Sequence, residues 1–255
     1  MVDKQVRPGT GIPKPVLAVC GKGGVGKTAF SALLARVLIA ERLKPLLLVD
    51  ADPVGGLTSA IGETAVSSLA AVRDRLVGQA ISGDKGALTD AASQLDYYVM
   101  NALVEHPDFS LLAMGHNREK GCFCPANQLL KNAVDTLISS FAGVLIDAEA
   151  GIEQINRDVT GRVTGIIVVV DGSQRSMNTL EMIVRMRGSS HVRVVANRVP
   201  KNFTFNLPQS VVHLGSIPEN AELQQFDRDG RSLWQLPADN EALTAVREIA
   251  WRLTW

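Results

Sequence analysis

The sequence predicts a doubly wound α/β domain built on one mainly parallel sheet, and three observations carry that expectation. A glycine-rich stretch, Gly21 to Thr28, stands between an apolar run of strand length and a stretch whose apolar residues recur at helical spacing. Strand-like and helix-like runs then alternate to the C-terminus, as in folds whose parallel strands are joined by right-handed helical crossovers. Gly165–Val170, the most hydrophobic run of the chain, is rich in β-branched residues, as a central strand buried on both faces should be.

Taken in order, residues 1–15 read as a flexible leader, with Pro13 and Pro15 suited to an extended entry into the first strand. Residues 16–255 are expected to form a single domain. Val16–Cys20 is the first strand, with Cys20 a core residue, and 29–40 the helix after the glycine loop. A second buried strand over 45–49 leads into Asp50 and Asp52, at the strand edge where open α/β sheets place ligands. Helix is expected over 65–76, no dominant period over 81–95, and strand over 97–102. Residues 105–125 combine proline, glycine, His106, His116, Cys122 and Cys124 without a sustained period, and read as a long loop of the kind that carries function. A helix over 127–140 and a strand over 143–146 ending in Asp147 precede the central strand. After it come a helix over 177–187, strands over 191–196 and 211–214, and a closing helix over 238–251 capped by Asp239 or Asn240.

Composition narrows the function classes. With 26 basic and 26 acidic residues the chain has no net charge, so no global field draws it to nucleic acid or to anionic lipid. No apolar stretch has signal-peptide or membrane-span length, which points to the cytoplasm. Three cysteines make no disulfide framework, and in a reducing compartment closely spaced thiols suggest metal or redox chemistry.

The chemistry starts at Gly21, Lys22, Gly23, Gly24, Val25, Gly26, Lys27 and Thr28, which match G-x-x-x-x-G-K-[ST] in the required order of strand, loop and helix. Backbone N–H groups and the helix N-terminus would cradle phosphate, Lys27 would neutralise the β- and γ-phosphates, and Thr28 would ligate Mg²⁺. Asp50 and Asp52 lie two residues apart, so one could position an attacking water while the other holds Mg²⁺ through its water shell. Cys122 and Cys124 can share a metal but supply only half of a four-coordinate site. The other half could come from the same pair in a two-fold partner or from His106 and His116, and a reversible disulfide is a further alternative.

Lys22 within that loop resembles the extra lysine of the deviant phosphate loops in the MinD/ParA/nitrogenase-iron-protein class. The resemblance implies a P-loop NTPase architecture of SIMIBI/MinD-like type and a dimer in which Lys22 reaches the partner's nucleotide. It also implies a first-switch carboxylate at Asp52 needed for hydrolysis, and a second switch from Asp147 on the Mg²⁺ side to a hinge at Gly151. Where the family form often has prolines, this chain has Ala148, Glu149 and Ala150. The late strand runs into Asn197, Arg198, Val199 and Pro200, so the guanine-reading aspartate of GTPases is missing. Asn197 is similar to the adenine-reading asparagine of the class, and Pro218 lies in the loop expected to wall the base, which favours ATP over GTP.

Together with Gly121-Cys122-Phe123-Cys124-Pro125 and the Ala150-Gly151-Ile152-Glu153 after the second-switch aspartate, these motifs resemble the CooC-type nickel-insertion ATPases, over residues 16–222. That family implies an ATPase acting as a metallochaperone. Ni²⁺, with Zn²⁺ as competitor, would sit between two chains on Cys122 and Cys124, and carbon monoxide dehydrogenase or acetyl-CoA synthase would be the client. Two other readings stay open. One is an ATP-driven reductase with an iron–sulfur cluster on the same thiols. The other is a MinD-like positioning ATPase anchored through 245–255, where Val246, Ile249, Leu253 and Trp255 lie near one another with Arg247 and Arg252.

Overall fold

The computed structural model describes residues 14–65, 67–81, 94–115, 124–148, 163–200, 203–204, 206–209 and 211–254. Eight strands form one sheet: β1 (Val16–Cys20), β2 (Leu46–Asp50), β3 (Leu103–Glu105), β4 (Phe109–Ala113), β5 (Gly143–Asp147), β6 (Gly165–Val170), β7 (Val192–Asn197) and β8 (Val212–Ile217). Their spatial order is β3-β4-β2-β5-β1-β6-β7-β8, and every pairing is parallel except β3 with β4. The doubly wound α/β class expected from the sequence is what the chain adopts.

Alternation along the strands builds two cores, because successive side chains leave opposite faces of a sheet. Val16, Ala18 and Cys20 of β1 join one apolar cluster while Leu17 and Val19 join the other. On the first face lie helices α3 (Leu69–Ile81), α4 (Leu95–Asn101), α5 (Cys124–Ser139) and α6 (Gln174–Arg187). On the second lie α1 (Lys27–Glu41), α2 (Gly56–Ile61), α7 (Ala221–Arg228) and α8 (Glu241–Arg252). Helix α1 is buried on nearly every side, packed between the sheet and α8.

Several local expectations are corrected. The 97–102 stretch is helical: Leu95 and Val99, four residues apart, are buried while Tyr97 and Met100 face solvent, so a helical period underlies the aromatic and β-branched composition that suggests a strand. The 105–125 loop contains β4, whose five residues are all buried beside β2; as a fully buried parallel strand it shows no alternation to betray it. Helices α2 and α7 are additional, and α5 begins at Cys124, three residues before the expected start. Asn240 caps α8, its side chain accepting from the N–H groups of Ala242 and Leu243. Val246, Ile249 and Leu253 are buried on the second face, so the apolar side of the closing helix packs onto the sheet. Arg247 adds an ion pair to Glu41 of α1 at 2.7 Å. No described helix is long and apolar enough to cross a membrane.

Candidate functional site

The phosphate loop leaves β1 at Gly21 and turns into α1 at Gly26. Both glycines are imposed by close approach. A Cβ on Gly21 would lie 2.4 Å from the Val169 carbonyl oxygen of β6, and one on Gly26 would lie 2.3 Å from Asn197 Nδ2, at φ values of +145° and +88°. Lys27 Nζ donates to the Lys22 carbonyl at 3.2 Å, closing the loop over its own main chain. From β7, Asn197 Nδ2 donates to the Val25 carbonyl at 2.8 Å, and Arg198, in the left-handed region at φ 59°, donates to the Gly24 carbonyl at 3.3 Å. Asn197 therefore clamps the loop. Lys22 is half-buried, while Gly23 and Gly24 are exposed at the tip.

Three carboxylates stand at the same sheet edge, because β2 and β5 pair in a register that puts Asp50 beside Asp147. Asp147 takes the Thr28 hydroxyl at 2.8 Å and the Ser31 hydroxyl at 2.8 Å. Burial pushes its pKa up to about 6 against the pull of those two hydroxyls; the Asp50 charge raises it further and Lys27 lowers it. Asp50 is fully buried, and burial raises its pKa against hydrogen bonds from Thr58 and the Asp52 backbone. Both of its oxygens are occupied by chain donors. Asp52 is half-buried, accepts from the Val54 N–H at 3.0 Å, and sits against Gly56, where an added Cβ would lie 2.9 Å from Asp52 Oδ2 and 3.5 Å from Thr28 Cγ2. Asp52 and Thr28 thus both border Gly56.

Residues that take part without having been singled out from the sequence are Ser31, Thr58 and Asp171. Ser31 lies one helical turn after Thr28, so i,i+3 spacing could have found it. Asp171, at the end of β6, is held well below the carboxylate range at about 2. Partial desolvation opposes this, but the hydroxyls of Ser173 and Ser176, the Ser173 N–H and the Lys22 charge prevail. Its signal was an aspartate directly after a strand and two residues before the Ser173 cap of α6.

At the ends of β7 and β8, Asn197, Arg198, Ile217 and Pro218 line one narrow pocket with Gln224 and Asp227. The sequence-predicted nucleotide residues of the phosphate loop, β2, β5, β7 and the β8 end therefore converge on one edge. Gly151 and Cys122 lie outside the described residues, as does His116, and Cys124 is described only as the first residue of α5. His106 is engaged elsewhere, 3.0 Å from Glu63 and stacked on Phe109. The segment leading to the cysteines departs from the nucleotide edge. Met114 N–H donates to the Asp50 carbonyl at 2.8 Å, Ala70 N–H donates to the Met114 carbonyl at 2.9 Å, and a Cβ on Gly115 would lie 2.4 Å from Ser68 Oγ.

Such a sheet, with a two-lysine phosphate loop leading into its central helix, defines a P-loop NTPase of the MinD/ParA class. The profile described as an AAA domain matches residues 15–197, and the chain belongs to that family. An uncharacterised ATP-binding protein of Methanocaldococcus jannaschii is 33% identical over 248 residues, covering 92% of this chain and 96% of that one. The carbon monoxide dehydrogenase accessory protein CooC of Rhodospirillum rubrum is 31% identical over 239 residues, covering 86% and 89%. The structure of the MinD cell division protein of Aquifex aeolicus is similar with a TM-score of 0.66 at 21% identity, covering 93% and 95%, and so shares the fold.

Proposed function

We propose that residues 16–255 act as a cytoplasmic ATP-hydrolysing metallochaperone that carries nickel between two copies of the chain and assists its insertion into carbon monoxide dehydrogenase or acetyl-CoA synthase. The observation that carries this reading is the coexistence, in one chain similar to CooC along most of its length, of a nucleotide edge and a Cys122, Cys124 pair that follows β4 in the chain.

The residues present fit ATP and Mg²⁺. Gly21 and Gly26 let β6 and Asn197 close against the loop, Gly23 and Gly24 leave its tip open, and the Thr28 hydroxyl lies beside Asp147 in an acidic setting. Thr28 would hold the metal with Asp147 alongside, and the ion would neutralise charge on the transferring phosphoryl group. In this reading Lys27 steadies the β- and γ-phosphates, Asp52 orients the attacking water, and Lys22 reaches the partner's nucleotide. Asn197, Arg198 and Pro218 frame the base, and Gly151 is a hinge of the second switch. Ni²⁺ is cargo, with Zn²⁺ as its competitor, held by Cys122 and Cys124 from two chains. Nucleotide can release it only if the two states differ in metal affinity, and a near-complete switch needs on the order of 5.5 kcal/mol.

Equilibrium metal titrations with ADP and with a non-hydrolysable ATP analogue, on wild type and on a Cys122→Ser, Cys124→Ser double variant, test this. One metal per two chains, absent in the variant and shifted by nucleotide, is expected. An iron–sulfur chromophore after anaerobic purification would favour the reductase reading instead, and a metal affinity indifferent to nucleotide would show that the two sites are not coupled.

A further inference from the structure

Asp50 and Thr58 form a buried tie at the end of β2. Asp50 Oδ1 accepts from the Asp52 N–H at 3.2 Å, and Oδ2 accepts both the Thr58 N–H at 2.7 Å and the Thr58 hydroxyl at 2.6 Å. Thr58 is 5% exposed and Asp50 is not exposed at all. A carboxylate so enclosed must be matched by donors, and hydrogen bonds to a charged group are among the stronger ones. Between the two partners lies the turn that carries Asp52, closed by the Gly55 N–H donating to the Asp52 carbonyl at 3.0 Å.

Helix α2, which supplies Thr58, is only six residues long and is flanked by Gly55 and Gly62, both left-handed at φ 76° and 82°. Glycine junctions impose little direction of their own on so short a helix. Leu57 and Ile61 seat it in the second core and Ser232 Oγ donates to the Ile61 carbonyl at 2.7 Å, while Thr58 is the α2 residue bonded back to the β2 end. Moving α2 would carry Gly56, and Gly56 is what Asp52 rests against.

We propose that Thr58 is a positioning residue for hydrolysis: through Asp50 it fixes the turn that holds Asp52 against Gly56. This rests on the reading of Asp52 as the carboxylate that orients the attacking water. Thr58→Val keeps the shape and removes the hydroxyl donor, so kcat should fall about tenfold, the loss of one charge-assisted bond, while KM and the affinity for a non-hydrolysable ATP analogue stay within about twofold. Thr58→Ser restores the donor and should recover most of the turnover, an outcome that a purely packing role would not produce. Should Thr58→Val fail to fold, Thr58→Ala removes the same donor with less bulk and is read in the same way. Unchanged kcat, a loss confined to KM, or a serine variant no better than valine overturns the proposal. Asp52→Asn is measured alongside. If it retains full turnover, the reading of Asp52 fails and the positioning role with it; if it is inactive while Thr58→Val turns over normally, only the positioning role fails.

Discussion

Asn197→Ala separates two jobs for a residue that sequence likeness assigns to reading adenine. In the structure its Nδ2 donates to the Val25 carbonyl at 2.8 Å, the side chain is buried, and Val25 is buried as well. Truncation leaves that carbonyl without its donor, at a cost of about 1–3 kcal/mol for an unsatisfied buried polar group. For a domain of this size that corresponds to a fall in Tm of about 2–4 °C per kcal/mol. A released loop should also bind phosphate less well whatever base is attached. Thermal unfolding of the nucleotide-free protein, with titrations of ATP and GTP, therefore gives a two-part expectation: a lower Tm without nucleotide, and a similar proportional loss for both nucleotides. An unchanged Tm with a loss confined to ATP would refute the clamp and return Asn197 to base recognition alone.

Gly26→Ala should be worse tolerated, because φ of +88° adds about 1–3 kcal/mol of backbone strain to a Cβ placed 2.3 Å from Asn197 Nδ2; loss of nucleotide binding with a reduced Tm is expected, and wild-type titration curves would count against the tight approach. Lys27→Ala should weaken nucleotide binding itself, whereas Lys22→Ala should bind the ATP analogue and fail to dimerise, as light scattering would show. Asp147 protonates more readily folded than unfolded, so the stability it contributes is complete below about pH 4 and is lost as pH rises through about 6. The Mg²⁺-free Tm of Asp147→Asn should lack that decline, and parallel profiles for variant and wild type would contradict it. Because Val246, Ile249 and Leu253 are buried, sedimentation with anionic vesicles should leave the protein in the supernatant; pelleting would revive the anchor reading.

The phosphate loop was legible because its glycines, lysine and threonine are fixed by local geometry that any strand-loop-helix must meet. Asp50 and Asp147 were legible as strand ends. The tie that occupies Asp50 was not, since it comes from Thr58, eight residues further along on a helix too short to show a period. Strand β4 escaped notice because burial on both faces removes the alternation by which strands are recognised, and α4 was misread because aromatic and β-branched content outweighed the four-residue spacing of Leu95 and Val99. The clamp by Asn197 joins residues 172 positions apart, a distance across which sequence pattern carries no geometric information.

The bond from the Met114 N–H to the Asp50 carbonyl fastens the chain just beyond β4 to the end of β2. The chain sets out toward the cysteines from a peptide fastened to the very residue whose side chain grips α2, and it passes Ser68 at a point where Gly115 leaves no room for a side chain. Any tilt at the tip of β2 must either break that bond or drag Met114 along. Asp50 thus joins three segments at one residue: the end of β2, helix α2 through Thr58, and the chain leaving β4 through Met114.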